Sequence, residues 1–322
     1  MSNNKLWKTV FITGPTSSGK SDLAIYLAKK FQGEVINADS RQVYKYLDVG
    51  SGKISKKEMS DIPHHLLSIA NPKINYSLAK WLKDTEKAVK KIVKKNKLPI
   101  FCGGTILYLK AIKEGWVLPQ VPPNYKLRKK LEKKSNEELY QEIKRLDPRR
   151  AKNLDPKNKR RLIRALEIIH ALGKVPKIKK KPKYHLLIIA PKIEKEKLFK
   201  KIKKRLIKRV PGIIKEIKKL RKIGLSFKKI ISFGLEYKWF GSYAQQKEFK
   251  QKLHKIDRLN VKQAEFIKNK QKLTLNSATS ECYKDILRFA RRQIRELRKI
   301  KEVIYVKNKK EAIKIVEKFL KN

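Results

Sequence analysis

The sequence predicts an α/β fold, a parallel sheet with flanking helices and a helical insertion. Three observations carry that prediction. Short apolar runs of strand length alternate with segments of helical period. Each of the first three runs closes on residues suited to ligand contact. Between about 119 and 183 the texture then changes to short basic helical segments.

Taken in order, Val10 to Thr13 is a β-branched and aromatic run that closes on Gly14. From Ser21 the apolar residues Leu23, Ala24, Leu27, Ala28 and Phe31 fall at helical spacing. Glu34 to Ala38 reads as a second strand, closing on Asp39. Leu78, Trp81, Leu82, Ala88, Val89, Ile92 and Val93 form one stripe of a helix between Ser77 and Lys95. Leu98 to Cys102 is a third strand, running into Gly103-Gly104-Thr105. Strands alternating with helices imply right-handed crossovers and a parallel sheet. Ligands in such sheets sit beyond the carboxyl ends of the strands.

Pro119, Pro122 and Pro123 open the insertion. Ser135 with Glu138 reads as a capping box, and Arg160 to Leu172 as an amphipathic helix stopped by Gly173. A Lys-rich linker reaches Lys183, and Tyr184 to Ala190 returns to the sheet as a fourth strand. Helical spacing then runs from Glu194 to about Ile223, with Pro211 expected as a kink or boundary. A turn at Gly234 to Tyr237 leads to a shorter helix, Asp285 to Lys299 is a basic helix, and Val303 to Val306 is an edge strand before a last helix from Lys309. The expected division is 1–118 for the first part of the core, 119–183 for the insertion, and 184–322 for core completion and the C-terminal helices.

Composition narrows the function classes. Of 322 residues, 40% are hydrophobic, enough for a real core. Two cysteines exclude a disulfide framework, and a reducing cytoplasmic compartment is expected. No apolar run approaches the ~20 residues that span a bilayer, so no membrane partner is expected. The formal charge of +55 favours a polyanionic partner. Lysine, spread along the whole chain, is what a compositional bias would also produce. The 17 arginines are better reporters, because the planar fork suits phosphate. They cluster at 149–150, 160–164 and 291–298.

The sharpest motif is Gly14-Pro15-Thr16-Ser17-Ser18-Gly19-Lys20-Ser21, which fits G-x-x-x-x-G-K-[ST] with a strand before it and a helix after. It makes the fold a P-loop NTPase-like one. Backbone amides of such a loop point at an anion, Lys20 adds a point charge, and the Ser21 hydroxyl can reach Mg²⁺, the expected cofactor. Two chemistries remain open at this point. The loop could hold ATP for phosphoryl transfer, with Asp39 as the nearby acid, or it could hold the diphosphate of a leaving group. Asp39 itself fits a helix N-cap, a Mg²⁺ ligand or a general base.

Further motifs separate these chemistries. Asp39-Ser40-Arg41-Gln42-Val43-Tyr44, Asp48-Val49-Gly50-Ser51-Gly52-Lys53, Pro63-His64-His65-Leu66 and Gly103-Gly104-Thr105 with Tyr108 together resemble the tRNA dimethylallyltransferase family. The likeness continues at Arg160 to Glu167 and returns at Lys208-Arg209-Val210, Gly234 to Lys238 and Ala290 to Gln293. It implies transfer of a dimethylallyl group from its diphosphate to N6 of the adenosine 3′ to the anticodon of tRNA. It also implies a P-loop core whose insertion clamps the anticodon stem-loop.

Matched by position, the resemblance makes Asp39 the general base and puts Thr16 near the reacting centre. Lys20 and Arg209 grip the diphosphate together with Gly14, Thr16, Ser17, Ser18, Gly19 and Ser21. Ser40, Arg41 and Gln42 hold the flipped base, with Gln42 reading its edge. Thr105, Arg128, Lys159, Arg160, Arg161 and Arg164 contact the RNA. The protein is expected to act as a monomer.

Other residues read more plainly. His64 and His65 are expected to be structural, Cys102 an inert strand residue, and Tyr108 a core residue or a wall of the allyl channel. After Arg292-Gln293 the family continues Thr-Trp-Phe, where this chain has Ile294-Arg295-Glu296-Leu297; the stretch 241–279 lacks a clear match. Three other functions compete: prenylation of free AMP, ADP or ATP, a P-loop small-molecule kinase using ATP, and an RNA-binding module without turnover.

Overall fold

The structure, a computed structural model, describes residues 6–253 and 273–322; part of the unmatched 241–279 stretch lies outside them. The chain divides into two compact units. One runs to Lys113 and resumes at Lys183; the other is Glu114–Pro182.

The first unit begins with β1 (Trp7–Ile12), α1 (Lys20–Lys30), β2 (Gly33–Asn37), α2 (Lys56–Met59), β3 (His64–His65), α3 (Leu78–Val93), β4 (Leu98–Cys102) and α4 (Ile106–Glu114). The second holds β5 (Trp116–Val117), α5 (Tyr125–Leu131), α6 (Asn136–Leu146), α7 (Pro148–Ala151), α8 (Lys159–Leu172) and β6 (Lys179–Lys180). The first unit resumes with β7 (Tyr184–Pro191), α9 (Lys195–Lys222), α10 (Phe227–Ile231), α11 (Leu235–Leu253), α12 (Leu275–Arg298), β8 (Val303–Val306) and α13 (Lys309–Lys321).

The main sheet has the order β3-β2-β4-β1-β7-β8, and every pairing is parallel. Val10 pairs with Ile100 on one side and Leu187 on the other. The central strands are therefore covered on both faces, which explains their unbroken apolar runs. On one face Phe11, Ile36, Phe101 and Ile188 pack with Trp81 of α3 and the helices after β7. On the other, Val10, Ile12, Val35 and Ile100 pack with Leu23 and Leu27 of α1 and Val316 of α13. This register sets the ends of β1, β2 and β4 side by side, with the 14–21, 39–42 and 103–105 segments along one edge.

Two helices depart from the sequence reading. Pro211 neither breaks nor bounds α9, which runs unbroken from Lys195 to Lys222. Pro211 is exposed, as is Ile207, whose carbonyl loses its partner; water can satisfy it there. The basic helix starts ten residues earlier than Asp285, because Thr274 and Ser277 form a cap and Ala278 and Cys282 extend its buried stripe.

In the second unit Leu131, Leu139, Ile143, Leu162, Leu166 and Ile169 form a separate core. Ser135 and Glu138 make both bonds of the capping box, and β5 pairs antiparallel with β6.

At the amino edge of the sheet, Glu34 is fully buried beneath His65 (2.7 Å), Lys95 (3.0 Å) and Lys97 (3.2 Å). Burial alone would raise its carboxyl pKa, but hydrogen bonds from these three residues outweigh it and hold it at about 2. A depressed carboxyl stabilises the fold above its unfolded pKa and loses that contribution as pH falls through the folded value. Glu34→Gln is therefore expected to cost up to about 3 kcal/mol at neutral pH, with the deficit shrinking from about pH 4.5 toward pH 2. Urea midpoints across that range check it; a deficit independent of pH contradicts it.

Candidate active site

The loop between β1 and α1 is shaped by its own sequence. Gly19, the residue before α1, sits in the left-handed region at φ 88°, and no side chain caps the helix. The first-turn amides are thus left for an anion. Ser17 is also left-handed at φ 63°. Lys20 Nζ donates to Pro15 O at 2.9 Å, folding the side chain back over the loop. Burial pushes the Lys20 ammonium pKa down; the neighbouring Cys102 and Asp39 push it up, and Arg205 pushes it down. Asp39 and Lys20 therefore share one electrostatic neighbourhood. The buried Thr13 Oγ1 and Ser18 Oγ have no hydrogen-bond partner among the described residues. Unmet polar atoms inside an amide-rich loop fit a bound phosphate group.

Asp39 leaves the end of β2 through a tight polar turn. Its N–H donates to Asn37 Oδ1, and Asn37 Nδ2 donates to Asp39 O, both at 3.1 Å. Asp39 Oδ1 accepts the amides of Arg41 (2.9 Å) and Gln42 (3.4 Å). The capping role read from sequence is therefore real for Oδ1, while Oδ2 has no hydrogen bond among the described residues. One carboxylate can hold its turn and still present a basic oxygen. Thr105 Oγ1 accepts the Ser40 amide at 3.0 Å, joining this turn to the 103–105 loop. Gly103 has to be glycine: a Cβ there would come 2.2 Å from the Ala38 carbonyl.

Cations approach from α9. Arg205 Nη2 donates to Gly52 O at 3.0 Å, and Arg209 donates to Val49 O. Glu236 anchors Arg41 at 2.9 Å and lies 3.6 Å from Arg209. Gln42 Nε2 donates to Ser51 O (3.3 Å) and Gly52 O (3.2 Å), so its amide hydrogens are engaged by the 51–52 loop. That loop is pinned by Glu216, which accepts the amides of Asp48 (2.7 Å), Val49 (2.6 Å) and Gly50 (3.0 Å) and the Tyr237 hydroxyl (2.7 Å). Gln293 ties the phosphate loop to the 103–105 loop. It accepts the Thr16 amide at 3.0 Å and donates to Gly104 O at 2.8 Å.

The first unit thus brings together Gly14 to Ser21, Asp39 to Gln42, Thr105 and Arg209. Ser21 is exposed at the start of α1, and burial pushes the pKa of the nearby Cys102 thiol up to about 11. Tyr108 is core, stacked on Trp81 with ring centroids 4.0 Å apart, though the Asp39 charge reaches it. His64 bonds Ile62 O and His65 bonds Glu34.

In the second unit several residues expected at RNA have internal partners. Arg128 makes a bidentate pair with the buried Glu167 at 2.8 and 2.7 Å, and Arg164 pairs with the same carboxylate. Lys159 Nζ donates to Glu132 O (2.8 Å) and Lys134 O (2.6 Å) at the end of α5. Arg160 and Arg161 stay exposed beside Arg150, lining a cavity of about 320 Å³.

Sequence reasoning missed Glu216, Glu236, Arg205 and the clamping role of Gln293. Arg205 carried a local signal, lying four residues before Arg209 on the same helix face, and Glu236 and Gln293 lie inside segments that carry the resemblance, though nothing there announced their partners.

Comparison with known proteins identifies the family. The IPP transferase family matches residues 42–300. A tRNA dimethylallyltransferase of Anoxybacillus flavithermus is 41% identical over 224 residues, 68% of this chain and 72% of that one. One from Leuconostoc mesenteroides is 33% identical over 312 residues, 96% of each. Among solved structures, the full-length tRNA isopentenylpyrophosphate transferase of Bacillus halodurans matches 98% of this chain and 95% of its own, with a TM-score of 0.66 at 28% identity. With the sheet order, the phosphate loop and the Asp39 turn already in place, these matches show that the chain belongs to the IPP transferase family.

Proposed function

We propose that this chain transfers a dimethylallyl group from dimethylallyl diphosphate to N6 of the adenosine 3′-adjacent to the anticodon in tRNA, releasing diphosphate. The observation that carries the reading is the Asp39 carboxylate, with one oxygen unengaged, in the same charge neighbourhood as Lys20 of the phosphate loop. Membership of the IPP transferase family and relatives named tRNA dimethylallyltransferases support it.

An exocyclic adenine amine is a weak nucleophile, because its lone pair is conjugated with the ring. As N6 bonds to the allylic carbon, the carbon–oxygen bond to diphosphate breaks and the N6 proton passes to Asp39 Oδ2. Lys20, Arg209 and the loop amides stabilise the departing charge. Ser18 and Thr13 offer unpartnered hydroxyls for phosphate oxygens. The Ser21 hydroxyl would hold Mg²⁺ together with phosphate oxygens of the donor; among the described residues no cluster of three His, Cys, Asp or Glu could hold it. When bound, it supplies charge neutralisation to the diphosphate. The adenine leaves its stack at a cost of a few kcal/mol, offset by RNA contacts from the 39–42 turn, Thr105 and the insertion arginines. Among the described residues no helix is long and apolar enough to cross a membrane. Both cysteines are free thiols, which supports a reducing compartment such as the cytoplasm.

Incubation with dimethylallyl diphosphate, Mg²⁺ and unmodified tRNA tests the reading. Mass spectrometry is expected to find one prenyl group on the adenosine 3′ to the anticodon, with AMP, ADP and ATP failing to compete. Prenylated nucleotide without prenylated tRNA would move the acceptor class. Lys20→Ala is expected to weaken diphosphate binding roughly 10- to 100-fold by calorimetry, the loss of one charged hydrogen-bonding partner.

A further inference from the structure

A cradle built from cations must still let its product go. We infer that Glu236 is a positioning residue that weakens the grip of Arg209 on diphosphate, so that the product leaves; calling diphosphate the product rests on the proposed function. Glu236 is buried and divides its carboxylate between two arginines. Its Oε2 accepts Arg41 Nη1 at 2.9 Å, while Oε1 faces Arg209 Nη1 at 3.6 Å, too far for a hydrogen bond. Arg41 is therefore fixed by Glu236, and Arg209 is bound to it by charge alone. The placement of Arg209 comes from elsewhere, from α9 and from the Val49 carbonyl to which it donates.

Like charges crowd this part of the site. Burial pushes the Arg205 guanidinium pKa down and Arg209 adds to the push, while Glu236, Glu58 and Asp22 act against it. Glu58 and Asp22 are exposed, and Glu58 is engaged by Ser55 at the start of α2. Glu236 is thus the buried counter-charge of the Arg205 and Arg209 pair. Arg205 in turn lies within electrostatic reach of Lys20, which connects the cluster to the phosphate loop.

The backbone is built to deliver this acid. Gly234 and Leu235 are both left-handed, at φ 75° and 43°, just before Glu236. A bulky residue rarely adopts that conformation, and strain of this kind collects where function needs a fixed geometry. The next residue, Tyr237, is tied to Glu216 through its hydroxyl, and a Cβ at Gly50 would come 2.5 Å from its ring. These contacts fix the backbone of Glu236 on the arginine side. A phosphate oxygen at Arg209 therefore competes with Glu236 for one guanidinium, and removing the carboxylate charge leaves Arg209 to the phosphate alone.

Calorimetric titration with inorganic diphosphate and Mg²⁺ tests the inference on the wild type, Glu236→Gln, Glu236→Asp, Arg209→Gln and the Glu236→Gln/Arg209→Gln double variant. Glutamine keeps an acceptor for Arg41 and loses only the charge. Glu236→Gln is expected to bind diphosphate about 3- to 10-fold more tightly, the effect of one partly buried charge pair. Diphosphate should inhibit its prenyl transfer at a correspondingly lower concentration, whereas a merely structural role would weaken both. Glu236→Asp, which keeps the charge, should stay close to wild type, and most of the gain should vanish in the Arg209→Gln background. A gain that survives there removes the route through Arg209 and overturns the inference. Urea midpoints report folding; a Glu236→Gln protein that cannot fold makes the carboxylate structural, and the inference falls. Unchanged or weaker binding by folded Glu236→Gln, beside a wild type that prenylates tRNA, overturns this inference alone. A wild type that binds diphosphate and prenylates no tRNA removes the proposed function, and the affinities then judge Glu236 by themselves.

Discussion

Asp39→Ala is expected to slow prenyl transfer roughly 100- to 10,000-fold, the range supplied by one positioned general base. Donor binding should survive, because the phosphate loop keeps its own supports in Gln293 and Pro15. The alanine variant alone cannot separate two jobs, since Asp39 Oδ1 also caps the Arg41 and Gln42 amides. Asp39→Asn separates them. Asparagine retains an Oδ1 acceptor for the turn but cannot take the N6 proton. Both variants should be slow, and the asparagine variant should keep wild-type affinity for tRNA. An active Asp39→Asn enzyme would reduce Asp39 to its capping role.

The second large effect falls on stability. Glu216→Ala strands three backbone amides, at Asp48, Val49 and Gly50, and the Tyr237 hydroxyl, all now satisfied by one buried carboxylate. Each orphaned buried donor costs about 1–3 kcal/mol before water enters. With partial relaxation, the expected loss is about 3–5 kcal/mol, read from the shift of the urea midpoint at constant slope. Glu216→Gln should lie between, because its amide end presents donors to donors. The 51–52 loop carries the carbonyls that hold Gln42. The glutamine variant should therefore also raise KM for tRNA more than it lowers kcat. A destabilisation below about 1 kcal/mol would contradict this account of the loop.

What the sequence made legible follows from locality. The phosphate loop is eight consecutive residues between a strand and a helix, so both the motif and its context lie in one window. The strands β1, β2, β4 and β7 read as apolar runs because the parallel sheet buries both their faces. The capping box of Ser135 and Glu138 is a four-residue signal of the same kind.

The supporting residues are not local. Gln293 reaches Thr16 across 277 positions and Glu216 reaches Asp48 across 168, so neither helix announces the partner. A buried glutamate in a helix crowded with lysine looks like any solvated acid until the packing of α9 is known. The same limit applies to Arg128 and Arg164. The resemblance puts Arg128 at the RNA, and Arg164 belongs to an arginine cluster, but that both also pair with the buried Glu167 is something composition does not announce. Pro211 fails to bound its helix for a related reason. A proline's effect on a helix depends on whether the orphaned carbonyl meets water, and that depends on which face is exposed.

The most direct measurement follows the fate of the leaving group. Diphosphate released and prenyl groups added to tRNA are counted in one reaction with dimethylallyl diphosphate, and ATP is offered in a parallel tube. The account predicts one diphosphate per modified adenosine and no ADP from the ATP tube at any tRNA concentration. ADP formation with no prenyl group on tRNA would mean that the loop holds a phosphoryl donor, and would contradict the account.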